Sequence, residues 1–464
     1  MPEFRSRCRT GPLRLCARQC RIDPRGHYRR TGKPGADRRR IVLLGGSRGA
    51  DSRTTGLPGY KALTVPPSDG PRVATDAGAA RSVVAIYRTE VLPLSETFVR
   101  DQALALRRWQ PILVGERQIN ALPLSGLAVS TCHSGPATVA QRVASLAWRR
   151  LDRPSPSMVA LVRRAAPKLI HAHFGFDGVE AWPIAQRLGL PLLVTLHGSD
   201  ITTTMEWFTS GRAGRRWAAY PSRLARLAKE RRVSFVAISE NIRRAALDAG
   251  LPSERIFVER IGVNTGGFAP GGLPIAKRQP MILFLGRLVE KKGCSFLIES
   301  FKTLRRQIPG CQLVVAGDGP LRADLEAQAA GLDGVRFAGS VSHDEVRALM
   351  QQARVFCLPS ITAESGDAEG LPLVILEAQA SGVPVVTSAR GGAEEGIRDG
   401  ETGLAFPERD VAAMTQYLSD VLTDDVLATR MSEAAPGFIA AEHDLLKCTA
   451  RLERVYDLAS GTAS

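Results

Sequence analysis

The sequence predicts an α/β protein built from two doubly wound domains, each a parallel sheet covered by helices, that face each other across a cleft. Short apolar runs typical of buried parallel strands alternate with helical segments along most of the chain. The alternation restarts after a Gly- and Pro-rich stretch at 265–274. Strands that alternate with helices form parallel sheets, and ligands bind at the carboxyl ends of such strands. A cleft between two domains of this kind is a favoured place for a ligand.

The first domain begins with the apolar run Ser82–Tyr87, which is typical of a buried strand. Ser95 is in the position of an N-cap for a helix that continues to about Trp109. The remaining strands of this domain are predicted at 111–114, 168–172, 191–196, 234–238 and 256–261. Helical segments lie between most of them, so we expect one parallel sheet.

The second domain follows the same pattern after the Gly- and Pro-rich stretch. Its strands are predicted at 281–285, 312–316, 335–338, 355–358 and 383–387. The last helix, at about 442–458, places Leu445, Leu452, Val455 and Tyr456 on one face, so it should pack on a domain. We therefore divide the chain into a basic extension at 1–80, domains at 81–267 and 268–440, and a C-terminal helix at 441–464 that packs back on the domains.

The charge of the chain is concentrated near its N-terminus. Residues 1–80 carry 17 Lys and Arg against 6 Asp and Glu, which accounts for +11 of the net charge of +16. This segment is rich in Arg, Gly, Pro and Ser and has no sustained periodicity, so we expect it to be disordered. Such a tail could bind nucleic acid or an anionic membrane, but we favour an extension without function and expect no nucleic-acid partner. The run at 40–49 mimics a strand and a phosphate loop, but no amphipathic helix follows it.

Several other classes of protein are disfavoured by the composition. No apolar run approaches the about 18–20 residues that a membrane-spanning helix needs, and no secretory signal is visible. The expectation is a cytoplasmic protein. The eight cysteines are scattered, and Cys8, Cys16, Cys20 and His27 lack the usual CxxC spacing of a zinc site.

The most informative segment for chemistry is 369–382, an apolar helix with a glutamate before it and another inside it. Pro372 suits a first helical residue and Gly382 suits a helix end. Glu377 would be costly inside this helix without a polar partner, such as the hydroxyl pair of a ribose. Glu369 can reach a second polar group, and the free amides beside it favour phosphate. In a helix the two glutamates would lie about 12 Å apart, which is too far for a glycosidase acid/base pair. The alternative is two solvent-facing glutamates.

A basic loop and two histidine motifs supply further candidates. Arg287 and Lys292 follow the strand at 281–285 and could converge on a diphosphate, although such a loop is also common as a solvated surface. His173 and His197 lie at strand ends, where histidines often only cap strands through hydrogen bonds. Two histidines two apart, His171 and His173, also suggest a metal site, but no carboxylate or cysteine ligand accompanies them.

In combination these motifs resemble the retaining GT-B glycosyltransferases of family 4, and are similar to the bacterial enzymes of colanic-acid and amylovoran type exopolysaccharide assembly. The resemblance covers about residues 82–460. It rests on the Glu-x7-Glu helix of Glu369 and Glu377 and on four glycine-containing motifs, at 286–293, 317–320, 262–264 and 391–395. The motifs at 95–102, 171–175 and 196–200 point to the exopolysaccharide branch. Ala393-Glu394 departs from the family, which often has a small apolar residue and Pro there.

The resemblance implies two Rossmann-like domains and transfer of a sugar from a nucleotide-diphosphate sugar to a saccharide or lipid-linked acceptor with retention of configuration. It implies a catalytic role for His197, near the reacting sugar, and for Glu369, on the sugar's hydroxyls. Several residues are implied to bind the donor. Glu377 would bind the ribose, and Arg287, Lys292 and the amides of Gly370 and Leu371 would bind the diphosphate. The base would lie near Ser340 and Val341, and the loops of Gly286 and Asp318 would also contribute. The acceptor side is implied to include Ser95, Glu96, His173 and Asp200. Neither a metal nor another cofactor is expected.

The stretch 205–232 is basic and contains interfacial aromatic residues such as Trp207 and Trp217. Basic helices with such aromatics can lie on anionic membranes, which would suit a lipid-linked acceptor, so peripheral contact with the inner face of the membrane is a further expectation. A solvated helix face is the alternative. Other functions compatible with the sequence are a sugar-nucleotide epimerase, a phosphorylase, or a non-catalytic sugar-nucleotide-binding protein.

Overall fold

The computed structural model describes residues 81–93, 96–119, 122–133, 152–388 and 390–462, with six further positions between 138 and 148. The basic segment 1–80, which contains Cys8, Cys16, Cys20 and the phosphate-loop mimic at 40–49, lies outside the described residues, and so does Ser95. Within the described ranges, every helix is too short or too polar to cross a lipid bilayer.

The N-terminal domain is built on one parallel sheet. Its strands are β1 (Ser82–Tyr87), β2 (Glu90–Val91), β3 (Trp109–Gln118), β4 (Ala128–His133), β5 (Leu169–His173), β6 (Leu192–Leu196), β7 (Val233–Ala237) and β8 (Ile256–Val258). The order in the sheet is β2-β3-β1-β5-β6-β7-β8, with β4 also paired to β3. Strands β5 and β6 are buried along their whole length, as expected for strands covered on both faces.

Helices cover both faces of this sheet. They are α1 (Thr97–Ala105), α2 (Pro156–Ala165), α3 (Gly175–Leu188), α4 (Ser199–Thr202), α5 (Met205–Thr209), α6 (Tyr220–Leu227) and α7 (Glu240–Asp248). Helix α7 begins at a strong N-cap, because the hydroxyl of Ser239 accepts from the amide of Ile242 at 3.2 Å.

The C-terminal domain has a second parallel sheet. Its strands are β9 (Met281–Leu285), β10 (Gln312–Ala316), β11 (Val335–Gly339), β12 (Val355–Leu358), β13 (Val385–Ser388) and β14 (Gly403–Phe406), in the order β11-β10-β9-β12-β13-β14. Its helices are α8 (Cys294–Gln307), α9 (Arg322–Gln328), α10 (His343–Gln352), α11 (Leu373–Ala380), α12 (Val411–Thr423) and α13 (Asp425–Glu442). Strand order reverses direction at β9 and β12, the position at which open α/β sheets bind ligands.

The chain returns to the N-terminal domain at its end. Helix α14 (Leu445–Ser460) buries Leu452, Val455 and Tyr456 against that domain. One carboxylate oxygen of Glu453 accepts from the amides of Arg107, Arg108 and Trp109 at 2.9, 2.7 and 3.0 Å. The two segments that cross between the domains also bond to each other, since the amide of Val263 donates to the carbonyl of His443 at 2.8 Å.

Some predicted boundaries were wrong for local reasons. Helix α1 ends at Ala105 because the chain turns into β3, which begins at Trp109. Pro372 is the N-cap of α11 rather than its first helical residue, with an extended ψ of 107°. The last helix begins at Leu445, after α13 has ended at Glu442. Strands β2, β4 and β14 were not predicted.

Candidate active site between the two domains

The candidate site lies where loops at the carboxyl ends of strands from both domains touch. His197 and Gly198 follow β6, and the loop after β12 contains Ala368–Gly370. A Cβ added at Gly198 would lie 3.3 Å from the carbonyl oxygen of Ala368, and one added at Gly370 would collide with the carbonyl of His197. Ser239, after β7, donates to the carbonyl of Gly370 at 2.8 Å. His197 and Gly370, which were predicted in different domains, are therefore neighbours.

Glu369 and Lys292 form a buried ion pair in this site. Lys292 Nζ lies 2.7 Å from Glu369 Oε1, to which Ser360 Oγ also donates at 3.2 Å. Burial alone would raise the pKa of Glu369, but the positive charges of Lys292 and Lys291 and these hydrogen bonds outweigh it and hold that pKa below its ordinary value. Glu369 is therefore ionised at neutral pH, with its charge balanced from the loop after β9.

Glu377 lies on α11 and lines a cavity of about 220 Å³ that both domains form. Asp101 of α1 lines the same cavity from the N-terminal domain. Burial, and then the negative charge of Asp101, raise the pKa of Glu377 to about 7. Among the described residues, none donates a hydrogen bond to its carboxylate. The polar partner that the sequence analysis required for Glu377 is therefore left for a ligand to provide.

The other residues predicted to bind the donor lie in the loops after β9 and β10, and they differ in whether they are already bonded to other parts of the protein. Arg287 is exposed, and its guanidinium donates to no other described residue. The side chain of Lys292 passes over Gly286, where an added Cβ would lie 3.6 Å from its Cδ. Asp318 accepts from the amide of Gly319 at 2.7 Å and pairs with Arg322 at 3.4 Å. The carboxylate of Asp318 therefore organises its own turn.

Four predicted donor contacts involve the backbone. Ser340 and Val341 follow β11, at the edge of the C-terminal sheet, with Ser340 exposed and Val341 half-buried. Neither of the amides of Gly370 and Leu371 donates to another described residue, although the carbonyl of Gly370 is bonded to Ser239. These amides are available to a ligand, and the donor-binding roles of all four positions stay predictions.

The two histidines predicted at strand ends are in direct contact. His173 Nδ1 lies 3.1 Å from His197 Nε2, and the rings are stacked with an interplanar angle of 26°. Burial is the largest cause that lowers the pKa of both imidazoles, and the positive charge of Arg88 also contributes to both shifts. His171 is instead occupied by structure, bonded to Tyr456 Oη and to Thr195 Oγ1 at 2.7 Å each.

Arg88, which follows β1 and organises the N-terminal side of the site, was not predicted from the sequence. Its guanidinium forms ion pairs with Glu96 and Asp177, and donates to the carbonyl of His173 at 2.8 Å. It also lies over the ring of Phe174, 4.7 Å from its centroid. Glu96, predicted on the acceptor side, is thus a partner of Arg88. The signal that could have found Arg88 is its place after an apolar strand, the rule already applied to the histidines.

Two other acidic side chains near the site are bonded to backbone amides. Asp200, predicted on the acceptor side, accepts from the amides of Gly175 and Gly198 at 2.7 and 2.8 Å and from that of His197 at 3.1 Å. Glu395 accepts from the amides of Glu240 and Asn241, at 2.9 and 2.8 Å, and so caps α7 from the other domain. Both carboxylates fix the loops that carry the site.

A larger cavity of about 560 Å³ lies beside this contact, between α4–α7 and the loops after β12 and β13. Ala368 and Asp200, which are close in sequence to Glu369 and His197, belong to its wall. The lining mixes apolar and polar side chains, among them Phe208, Tyr220, Thr203, Asn241 and Arg244. Such a lining suits a ligand with many hydroxyl groups and a hydrophobic face.

The arrangement provides cations and amides for an anion, and carboxylates for hydroxyl groups. In the part of the chain that the structure describes, no cluster of three His, Cys, Asp or Glu side chains is placed to hold a metal ion. The absence of a cofactor stays a prediction. The chemistry supported by the described groups is the binding of a polyhydroxyl compound linked to phosphate, between two domains.

Family models match both halves of the chain. One described as Glycosyltransferase Family 4 matches residues 95–266, and one described as Glycosyl transferases group 1 matches residues 269–438. The boundary between the two matches falls in the Gly- and Pro-rich stretch at 265–274.

Individual proteins are similar over much of the chain. Glycogen synthase of Mycobacterium tuberculosis is 31% identical over 298 residues, which are 62% of this chain and 68% of that protein. The amylovoran biosynthesis glycosyltransferase AmsK of Erwinia amylovora is 31% identical over 273 residues, 57% of this chain and 63% of that protein. The solved structure of Anabaena Alr3699/HepE in complex with UDP-glucose superposes with a TM-score of 0.64 at 19% identity, over 81% of this chain and 99% of that chain. That likeness confirms the predicted two-domain α/β fold.

Proposed function

Because the chain belongs to the group 1 family of glycosyltransferases and has the GT-B fold, we propose that it transfers a sugar from a nucleotide-diphosphate sugar to a saccharide or lipid-linked acceptor, with retention of anomeric configuration. The observation that carries the proposal is the Glu369–Lys292 pair, 2.7 Å apart, beside His197 of the other domain. An ionised carboxylate suits the hydroxyls of the transferred sugar, and a cation suits the phosphate that leaves it.

Contacts in the C-terminal domain support the donor assignment. Arg287, with no described partner, and Lys292 supply positive charge to a diphosphate, and the amides of Gly370 and Leu371 add donors. The unpartnered carboxylate of Glu377 suits the two hydroxyls of a ribose, and we assign the base to the backbone of Ser340 and Val341, which follow β11. The Anabaena structure contains UDP-glucose, which is consistent with a donor of this class for a protein of the same fold.

We propose a front-face transfer for the chemical step. The bond between the anomeric carbon and the phosphate oxygen breaks, and a bond from the acceptor oxygen to the same carbon forms on the same face. The leaving phosphate accepts the acceptor's proton, so no protein base is required. Lys292 and Arg287 stabilise the negative charge that grows on this phosphate, and the charge is largest in the transition state.

The cavity of about 560 Å³ is the space we assign to the acceptor. It begins one residue from Glu369 and three from His197, and its mixed lining suits a saccharide. The similarity to AmsK, an amylovoran biosynthesis enzyme, supports a place in exopolysaccharide or cell-envelope glycan assembly.

We also propose that the enzyme works in the cytoplasm, at the inner face of the membrane. The segment that contains α5 and α6 exposes Arg215, Arg216, Arg231 and the side chain of Met205, which is consistent with an anionic lipid surface. Co-sedimentation with liposomes that contain or lack acidic lipid tests this step. Equal recovery in the supernatant with both, at low and high salt, would refute the membrane contact and leave the transfer reaction untouched.

The transfer itself is tested first by thermal shift against a panel of nucleotide sugars, since a bound donor stabilises the folded state. The stabilising donor is then incubated with oligosaccharide and lipid-linked acceptors, and the anomeric configuration of the product is read by NMR. A product of inverted configuration would contradict retention. Release of an isomerised nucleotide sugar, or a dependence on inorganic phosphate, would identify an epimerase or a phosphorylase instead.

A further inference from the structure

The hydrogen bond between His173 and His197 can run in either direction, and the chemistry of the imidazole ring decides which ring donates. His173 is the last residue of β5 and His197 directly follows the neighbouring parallel strand β6, with His173 registered against Thr195, two residues before His197. This register brings His173 Nδ1 to 3.1 Å from His197 Nε2. Both rings are neutral at physiological pH, because burial lowers the pKa of each. A neutral imidazole carries one N–H, so one ring donates in this contact and the other accepts.

The second nitrogen of His173 decides the direction. His173 Nε2 is buried and has no hydrogen-bond partner among the described residues. His171 packs on His173 with 4.3 Å between ring centroids, but both of its own nitrogens are bonded to Tyr456 and Thr195. If His173 accepted at Nδ1, its proton would be buried at Nε2 as an unpaired N–H, a kind of group that is rare in folded proteins. If it donates from Nδ1, Nε2 carries only a lone pair.

We propose that His173 is a positioning residue that donates from Nδ1 to His197 Nε2 and thereby holds the proton of His197 on Nδ1. His197 is half-buried, and its Nδ1 has no hydrogen-bond partner among the described residues. It therefore presents a hydrogen-bond donor, and not a base, to the substrate. This inference rests on the proposed function for the identity of the substrate, which must offer a lone pair there, as a sugar hydroxyl or ring oxygen does.

The surroundings reinforce this assignment. Arg88 donates to the carbonyl of His173, which fixes the backbone at the end of β5. Asp200 accepts from the amide of His197 and fixes the other side of the contact. The positive charge of the Arg88 guanidinium also disfavours protonation of either imidazole, and so lowers the pKa of both. His197 is thus kept neutral and in one tautomer before any substrate arrives.

The test is the tautomer itself, measured on the full chain labelled with ¹⁵N-histidine. Long-range ¹H–¹⁵N spectra distinguish Nδ1–H from Nε2–H imidazoles, and a His197→Asn variant assigns the resonances. The expected result is an Nδ1–H tautomer for both His173 and His197 in the unliganded protein. An Nε2–H tautomer at His197 would overturn the proposal without bearing on whether the protein transfers sugar.

A matched pair of variants separates the hydrogen bond from packing. In His173→Asn the amide nitrogen takes the place of Nδ1, whereas in His173→Gln it takes the place of Nε2. We expect His197 to keep its tautomer in the first variant and to change it in the second, while the spectrum of His443, near the crossing segments, stays the same in both. With the donor found by the screen, kcat should be about tenfold lower in His173→Gln than in His173→Asn, the cost of one hydrogen bond. Equal kcat values and equal tautomers in the two variants would refute the positioning role.

Discussion

Proton release on donor binding is a measurable consequence of the raised pKa of Glu377. The carboxylate has a pKa of about 7 in the unliganded protein, because it is buried and faces Asp101. Hydrogen bonds from two ribose hydroxyls favour the ionised form and return the pKa to the ordinary range. About half a proton should therefore be released per donor bound at pH 7, about 0.9 at pH 6 and about 0.1 at pH 8.

Affinity follows from the same equilibrium. If Glu377 binds the ribose in its ionised form, as proposed, the donor should bind about tenfold more weakly at pH 6 than at pH 8. The folding stability of the unliganded protein depends on pH in the opposite direction, because it decreases as the pH rises. A folded-state pKa raised above the ordinary value stabilises the protein below about pH 4.5, and this contribution is lost as the pH rises through about 7. In Glu377→Gln both dependences should be flatter.

Isothermal titration in two buffers of different ionisation enthalpy counts the protons released. The nucleotide phosphates titrate in the same range, so the quantity of interest is the difference between the wild type and Glu377→Gln. Asp101→Asn serves as a second variant, since removal of its negative charge should move the midpoint of proton release to lower pH. Equal proton counts in the wild type and Glu377→Gln at pH 7 would show that Glu377 does not meet the donor in its ionised form.

Three further predictions concern carboxylates with defined partners. Glu369→Gln should lower kcat by about 100-fold, while the exposed control Glu364→Gln should not; comparable rates would remove Glu369 from the chemistry. Glu453→Ala should lower the free energy of unfolding by about 2–4 kcal/mol, because three amides lose their acceptor; chemical denaturation against the exposed control Glu433→Ala checks this, and equal stabilities would refute it. Glu395→Gln should weaken the cap of α7 by about 1 kcal/mol. The amides of Glu240 and Asn241 should then exchange hydrogen faster than they do in the control variant Glu394→Gln, and unchanged exchange would contradict the cap.

The buried part of the fold could be predicted from the sequence because central parallel strands are apolar throughout. The strands β1, β9, β10 and β12 have the predicted boundaries. The three that were missed have weaker signals. Strand β2 has two residues, β4 lies at the edge of the sheet with an exposed or half-buried side chain at every position, and β14 is the edge strand of the other sheet. An edge strand needs no continuous apolar run, so the apolar pattern did not identify these three, whereas it did identify the edge strands β8 and β11.

Candidate site residues could be predicted only where a chemically suitable side chain lies at the end of a predicted strand or the start of a predicted helix. Glu369, Lys292 and His197 could be proposed as site residues because each follows a predicted strand or precedes a predicted helix. The pairing of Arg88 with Asp177 could not be predicted, because Asp177 lies 89 residues away, inside a helix. The roles inferred for Asp200 and Glu395 also depend on which amides their carboxylates meet. Long-range pairing of this kind has no local signal, so it becomes visible only when the strands are placed.

If the proposed diphosphate binds the amide of Gly370, the contacts of this residue link donor binding to the fit between the domains. Its carbonyl accepts from Ser239 of the N-terminal domain, whereas its amide is left for the proposed diphosphate. Both groups belong to the same few atoms of backbone, and a Cβ at this position would collide with His197. A phosphate bound to the amide therefore also fixes the carbonyl that Ser239 bonds. The same Ser239 caps α7, which Glu395 caps from the other side. A glycine is required at 370 because a Cβ there would collide with the carbonyl of His197 from the opposite domain.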